Sequence, residues 1–306
     1  MAADREQQLR LGASLKLDAV GVSVVTGLRR RGVPAVLLKG SALARRLYRD
    51  GTYRAHDDVD LLISPLEREQ AAVALAELGF ERTGDADYAE PWIRREDGAT
   101  IDVHVRLPGA DAEPQSAWKV LAEQTRTLRL CGEDVEVFAD DALALHVALH
   151  AAHHGPGAAQ ALEDLRRALT QLPQETWQRA AVLADRVSAS PAFGAGLRLL
   201  AEGREVARSL GLPSAMTRET AFRSTGLPPT APGLFRLTEV KGLGAKARLL
   251  GRELVPRVAF MRSVSPLARR GPTGLVLAYL WRPLWLAGHA PAAWKAVRRA
   301  RRTAPR

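Results

Sequence analysis

Apolar and polar residues follow two different patterns along the chain, and the change between them falls near residue 139. Before that point, short apolar runs and strictly alternating stretches predict strands with helices between them. The predicted strands are residues 33–38, 58–63, 80–83, 88–95, 100–107, 125–130 and 134–138. Helices are predicted over residues 4–32, 41–48, 65–78 and 114–124. The first part is therefore expected to form a mixed sheet with flanking helices.

After residue 139 the apolar residues recur only at helical spacing. This pattern predicts helices over residues 140–154, 158–171, 174–188 and 192–210, and a Pro-rich loop at 226–233. The expected fold class is α+β, in which a mixed sheet with flanking helices is followed by an all-α region. The expected domains are residues 1–139 and residues 140–306, the second ending in a basic tail.

Length and composition narrow the possible classes of protein. A chain of 306 residues, 46% of them hydrophobic, can bury a sizeable core in one large or two ordinary domains. The single cysteine, Cys131, excludes an internal disulfide framework. The first residues lack the apolar run of a signal peptide, and no stretch reaches the roughly 20 apolar residues that span a bilayer. A cytoplasmic location is expected.

Positive charge is concentrated near the C-terminus. Residues 241–306 contain 15 Lys or Arg and one acid, Glu253, whereas the whole chain has a net charge of +10. Such a region can contact nucleic acid or an anionic membrane. Within it, the apolar segment 274–288 is expected to be interrupted at Arg282-Pro283. This segment either lies on a membrane surface or packs on the core beside a solvated basic end, and packing is favoured.

Three aspartates give the clearest chemical signal. Asp58 and Asp60 lie two residues apart on a predicted strand, so they project together while Asp57 and Val59 face the other side. Asp102 lies on the polar face of a later strand, and if the two strands are neighbours, three carboxylates converge. Carboxylate oxygens can hold Mg²⁺ or Mn²⁺, and two such ions about 4 Å apart can activate an attacking oxygen and stabilise a leaving one.

The Gly40-Ser41 step complements the aspartates. It follows a short strand and begins a helix, where backbone N–H groups are free and a glycine lets a phosphate approach the backbone. The turn would then bind the triphosphate and the aspartates would bind the metal, which are the two parts of a phosphoryl-transfer site. Each motif also has a structural interpretation: the turn could be an ordinary helix cap, and Asp102 could pair with Arg94 or Arg106. Their combination favours catalysis.

These motifs resemble the nucleotidyltransferase superfamily that includes DNA polymerase beta, and more closely an uncharacterised bacterial nucleotidyltransferase family. The resemblance covers about residues 30–200 and is carried by residues 37–43, Tyr48, Arg54, residues 58–63, residues 101–104, His146, His150, His153, His154 and Asp164. It implies Mg²⁺- or Mn²⁺-dependent transfer of a nucleoside monophosphate from ATP or another NTP, with release of pyrophosphate. The acceptor would be a small molecule, a sugar or a peptide.

The resemblance also implies roles for single residues. Asp58, Asp60 and Asp102 would bind metal, and Asp102 would also activate the acceptor hydroxyl. Gly40 and Ser41 would hold the phosphates. Lys39 and Arg54 would either neutralise phosphate charge or form ion pairs. Sixteen residues separate Ser41 from Asp58, more than in the most compact superfamily members, so their substrates do not transfer directly.

The histidines His146, His150 and His153 form one helical stripe, and His150 and His154 form a further pair. Such spacing can bind zinc, but no acid or cysteine accompanies it at metal spacing. Polar residues at an inter-domain face are the favoured interpretation, and contact with the nucleotide or acceptor is a third.

Two other functions compete with nucleotidyl transfer. A glycosyltransferase also uses Asp-x-Asp, although only 57 residues precede the motif here and the Gly-Ser turn would then have no role. A non-catalytic nucleotide-binding or nucleic-acid-binding module is a second alternative. A variant of the main hypothesis is a nucleotidyltransferase that forms part of a toxin–antitoxin pair.

Overall fold

The computed structural model describes residues 2–84, 88–214, 230–240, 242–256 and 258–303. The chain divides into two compact units, Met1–Ala215 and Met216–Arg306. The change from sheet to helix at residue 139 and the division between compact units therefore lie at different positions. The helices that directly follow residue 139 belong to the same unit as the sheet.

The first unit contains a seven-stranded mixed sheet, which confirms the predicted fold class. Its strands are β1 Ala35–Leu37, β2 Val59–Ile63, β3 Phe80–Arg82, β4 Ala89–Arg94, β5 Ala99–His104, β6 Thr125–Leu130 and β7 Glu133–Phe138. They lie in the order β3-β4-β5-β2-β1-β7-β6. The pairs β2–β5 and β1–β7 are parallel, and the remaining pairs are antiparallel.

The helices of the first unit are α1 Ala2–Arg30, α2 Ser41–Leu47, α3 Arg68–Glu77, α4 Pro114–Ala122, α5 Asp140–His154, α6 Ala159–Gln171, α7 Gln174–Arg186, α8 Ser190–Leu197 and α9 Ala201–Ser209. A 3₁₀ turn, Pro65–Glu67, precedes α3, and the Ser64 hydroxyl caps it by accepting from the Leu66 N–H. The single helix predicted over residues 192–210 is wrong. Leu200 has an extended backbone (φ −112°, ψ 152°) and separates α8 from α9.

The two faces of the sheet bury different apolar clusters. Leu37, Leu61 and Ile101 pack with residues of α1 and α3 on one face. Val36 and Leu62 pack with residues of α5, α7 and α8 on the other. Because alternate residues of a strand face opposite sides, Asp60 projects to the side on which α5 lies.

Helix α5 is the central helix of the second cluster, and most of its residues are buried. Its backbone contacts α8 directly, since a Cβ added at Gly196 would lie 1.9 Å from the carbonyl oxygen of Ala148. Only a glycine fits this contact, so the approach of α8 sets the position of α5.

The second unit contains α10 Ala231–Glu239, α11 Leu243–Leu254, α12 Val258–Val264 and α13 Pro272–Thr303. The part of the predicted 226–233 loop before residue 230 lies outside the described residues, and from Ala231 the chain is helical. No helix within the described ranges combines the length and apolar character that crossing a membrane requires.

The predicted interruption at Arg282-Pro283 is wrong, because α13 continues through both Pro283 and Pro291. A proline removes one backbone hydrogen bond and disfavours helical geometry at the residue before it. Here the preceding residue is anchored: the Arg282 Nε donates to the Glu253 carbonyl oxygen at 2.6 Å. This contact between α13 and α11 opposes the effect of the first proline.

Candidate active site

The predicted convergence of the aspartates depends on two strands lying side by side, and they do. Strands β2 and β5 pair in parallel, with Asp60 opposite Asp102 and Val59 opposite Ile101. The apolar partners point into the cluster with α1 and α3, so the two carboxylates share the opposite face. Pairing of two strands that carry Asp60 and Asp102, 42 positions apart in sequence, thus assembles the site.

A third ligand-type side chain joins the two carboxylates. Asp60, Asp102 and His104 each place one potential ligand atom within 4.8 Å of the others. His104 Nε2 lies 3.0 Å from Asp60 Oδ1. Asp58 lies just before β2 and lines the same cavity, although it is outside this group of three. His104 was not among the predicted metal ligands, yet alternation along the strand places it on the same face as Asp102.

The carboxylates are unequal in their electrostatic surroundings. Asp60 is buried, which opposes ionisation, but its hydrogen bond with His104 and the charge of Lys39, whose Nζ lies 2.7 Å away, outweigh burial and hold its pKa below the usual range. Burial and the charge of Asp60 raise the pKa of Asp58 to about 6. The same two causes raise the pKa of Asp102. The cluster therefore holds more negative charge than its surroundings stabilise.

This excess charge fits a divalent cation. Mg²⁺ prefers carboxylate oxygens and keeps several waters, whereas an imidazole ligand also suits Mn²⁺. Asp60 and Asp102 supply the oxygens, Asp58 is close enough for their charges to raise its pKa, and His104 supplies a nitrogen. The residues present thus fit the predicted metal.

Asp58→Asn is expected to raise the free energy of unfolding of the metal-free protein at neutral pH by ~1–2 kcal/mol. Because the pKa of Asp58 is about 6 in the folded protein and about 4 when unfolded, ionising it favours unfolding. The gain should be absent below about pH 4, grow up to about pH 6 and then level off. Denaturant titrations across this range in a chelator measure it, with exposed Asp57→Asn as the control. A gain that does not depend on pH would contradict the assigned pKa.

The Gly40-Ser41 turn requires its glycine. Gly40 has φ 57° and ψ −116°, and an added Cβ would lie 2.9 Å from the His56 ring. The Ser41 hydroxyl is buried and donates to Asp18, which also accepts from Arg45 at 3.0 Å. Asp18 was not predicted as a partner of this turn. The binding of phosphate by Gly40 and Ser41 stays a prediction.

Lys39 and Arg54 occupy different surroundings. Lys39 lines the cavity beside Asp60. Arg54 is only 5% exposed and forms a two-pronged ion pair with Asp164, its Nε donating at 2.8 Å and its Nη2 at 2.6 Å. The Tyr48 hydroxyl also donates to Asp164, at 2.7 Å. Arg54 does not line the cavity, and the geometry favours the ion-pair interpretation for it.

The four histidines of α5 lie across the cavity from the carboxylates. The cavity has a volume of about 240 Å³, and its histidine wall consists of His146, His150, His153 and His154. These residues lie between the sheet and α5, the first helix after residue 139, and both elements belong to one compact unit. Burial lowers the pKa of His146 to about 3 and also lowers that of His150, so both are neutral at physiological pH. The buried Nε2 of His146 has no hydrogen-bond partner among the described residues.

Comparison with protein families identifies the class of this site. A family model described as an uncharacterised nucleotidyltransferase matches residues 5–203, about two thirds of the chain. The chain belongs to this uncharacterised nucleotidyltransferase family. The matched region of the nucleotidyltransferase contains the Gly40-Ser41 turn, the three aspartates and the histidine wall. The predicted class of enzyme is thereby confirmed.

Solved structures with similar folds include other nucleotidyltransferases. A crystal structure of ANT(2″)-Ia in complex with adenylyl-2″-tobramycin is 19% identical to this nucleotidyltransferase, and the match covers 55% of this chain and 97% of that one at a TM-score of 0.42. An antigenic nucleotidyltransferase-like protein from Paracoccidioides brasiliensis is 19% identical, and the match covers 58% of this chain and 91% of that one at a TM-score of 0.37. Lincomycin-bound LnuA, a lincosamide antibiotic adenylyltransferase, is 13% identical, and the match covers 48% of this chain and 91% of that one at a TM-score of 0.33. No curated protein matches the chain.

Proposed function

We propose that this nucleotidyltransferase moves a nucleoside monophosphate from an NTP to a hydroxyl group of an acceptor, in a reaction that needs Mg²⁺ or Mn²⁺. The observation that carries the proposal is the parallel register of β2 and β5, which sets Asp60 opposite Asp102 in a cavity that Asp58 also lines. Three carboxylates with one nearby lysine form a site for a cation and its phosphate ligands.

The surroundings of each residue suggest its role in the proposed reaction. When bound, the metal would neutralise the phosphate oxygens and polarise the α-phosphate. Asp58, Asp60 and Asp102 would hold it, and Asp102, with its raised pKa, would also accept the proton of the acceptor hydroxyl. The acceptor oxygen forms a bond to the α-phosphorus while the bond to the bridging oxygen breaks, and pyrophosphate leaves. Lys39 would stabilise the charge that develops on the phosphates.

Two cavities meet at Lys39 and Asp58, and they suggest where each substrate lies. A small pocket beside the main cavity is lined by Gly40, Ser41 and His56, and it shares Lys39 and Asp58 with that cavity. The triphosphate would lie on the turn, and the acceptor would lie against the histidine wall. The neutral imidazoles of His146 and His150 can donate hydrogen bonds to hydroxyl groups or accept them without repelling a cation at the carboxylates.

The test is release of pyrophosphate by the full-length protein. Each NTP is supplied with Mg²⁺, with Mn²⁺ or with EDTA, alongside pools of small molecules, sugars and peptides. We expect turnover only with metal, and an acceptor heavier by one nucleoside monophosphate in mass spectrometry. His150→Ala should keep metal-dependent NTP binding in calorimetry and lose transfer, because it alters only the acceptor side.

Three results would contradict the proposal. If NTP binds as well in EDTA as it does with metal, binding does not need the metal. Transfer of a sugar from a nucleotide sugar would identify a glycosyltransferase instead. Metal-dependent NTP binding without transfer to any pool would favour a non-catalytic module.

A further inference from the structure

We propose that α13 binds to the surface of an anionic membrane, with an apolar stripe in the lipid and a basic end against the headgroups. This inference concerns the second compact unit and does not depend on the proposed function. The stripe is defined by Leu277, Leu280, Trp281 and Leu284.

The stripe has the geometry of an amphipathic helix that lies in a membrane interface. Its four residues stand at positions i, i+3, i+4 and i+7, so they share one face of α13. They are between 50% and 68% exposed, although all four are large and apolar. Helix α13 packs in the protein through other residues, which include buried Ala278, Ala293 and Val297. The exposed stripe is therefore additional to the residues that the fold needs.

The charge around the stripe fits an anionic partner. Residues 241–306 carry a net charge of +14, with Glu253 as the only acid. Glu253 is itself neutralised, since it lies 2.8 Å from Arg236 and 3.8 Å from Arg282. Beyond the stripe, α13 carries exposed Lys295 and Arg298. Basic residues close to an anionic surface strengthen binding to it, and apolar side chains buried in the lipid add to the binding.

The same features argue against the other partners for this face. The phosphates of a nucleic acid could bind the positive charge, but neither phosphates nor sugars would bury the leucine side chains of the stripe. A second copy of the chain could cover the leucines, but it would bring an equal positive charge of +14 against the first. Lipid satisfies both the apolar stripe and the charge. Tryptophans such as Trp281 and Trp294, which is also exposed, are typical of helices at the headgroup level.

The experiment is flotation of the full-length protein with vesicles of phosphatidylcholine alone or mixed with phosphatidylglycerol. We expect the native protein to float with the mixed vesicles, and salt to weaken the binding. The variant Leu277→Ser/Leu280→Ser/Leu284→Ser should bind at least about tenfold more weakly. Lys295→Gln/Arg298→Gln should reduce the preference for anionic vesicles and keep the apolar contribution. Circular dichroism checks that each variant is folded.

The matched control replaces three exposed apolar residues of the first unit, Leu66→Ser/Val73→Ser/Val182→Ser, and should bind vesicles as the native protein does. The proposal is overturned if the native protein does not float, or if the stripe variant floats equally well. It is also overturned if ultracentrifugation shows a native dimer that the stripe variant converts to a monomer while vesicle binding is absent. Salt-sensitive RNA binding without vesicle binding would assign the basic end to nucleic acid.

Discussion

Asp60→Asn is expected to lower the rate of nucleotidyl transfer by about 10³-fold, the scale on which removal of one electrostatic contact to a transition state acts. Asp60 is the carboxylate that contacts the other groups of the site: Lys39 Nζ lies 2.7 Å and His104 Nε2 lies 3.0 Å from its Oδ1. Asparagine keeps the shape and an oxygen acceptor but removes the charge. The substitution therefore tests metal binding and charge rather than packing.

Single-turnover transfer with saturating Mg²⁺ and NTP measures the effect on the chemical step, and calorimetry measures metal-dependent NTP binding. Asp57→Asn is the matched control, because Asp57 is exposed and its backbone carbonyl, rather than its side chain, accepts from Thr100. It should retain the native rate within about twofold, as surface substitutions usually do. If Asp60→Asn also retains its rate within about tenfold, the metal is not held by this cluster.

Asp164→Ala is expected to lower the free energy of unfolding by about 3–5 kcal/mol, because it leaves a buried guanidinium without its partner. Asp164 is fully buried and accepts both prongs of Arg54 as well as the Tyr48 hydroxyl. The pair joins the loop before β2 to helix α6 across 110 positions of sequence. Urea unfolding of the two proteins side by side measures the loss.

Glu163→Ala is the control for Asp164→Ala, since Glu163 is the preceding acid on α6 and its ion pairs with Arg166 and Arg167 are partly exposed. We expect it to cost at most about 1 kcal/mol. The double variant Arg54→Met/Asp164→Leu should recover much of the loss, because it removes both charges and refills the volume. Equal losses for Asp164→Ala and Glu163→Ala would show that the buried pair contributes no more than a surface pair.

Local patterns were sufficient to predict most elements of the first unit. Alternation placed Asp102 on the polar face of a strand, and the Ser64-Pro65 sequence marked the start of a helical segment. The i, i+2 spacing put Asp58 on the same side as Asp60, and both line the cavity, although Asp58 lies just before β2. These predictions succeeded because each depends on neighbours within a few residues.

The remaining features depend on contacts between distant parts of the chain. Alternation gave no sign that β2 pairs with β5 in the register that sets Asp60 opposite Asp102. The spacing of the histidines could not show which surface α5 faces. The sequence could not show whether Arg54 binds phosphate or forms an ion pair, because its partner, Asp164, is distant in the chain. The low helix propensity of proline favoured a break in the helix at Pro283, and the tertiary contact of Arg282 with Glu253 opposed that break.

The glycine contact between α8 and α5 links the histidine wall of the cavity to the interior of the protein. Because Gly196 lies directly against the carbonyl of Ala148, α5 cannot shift toward α8, and it carries His146 and His150 on the same rigid helix. If the acceptor lies against this wall as proposed, we expect a relative that uses a different acceptor to change side chains on α5 rather than shift the helix toward α8. Substrate range in this lineage should therefore diverge by replacement at the four histidine positions, while the helix axis and its glycine contact stay constant.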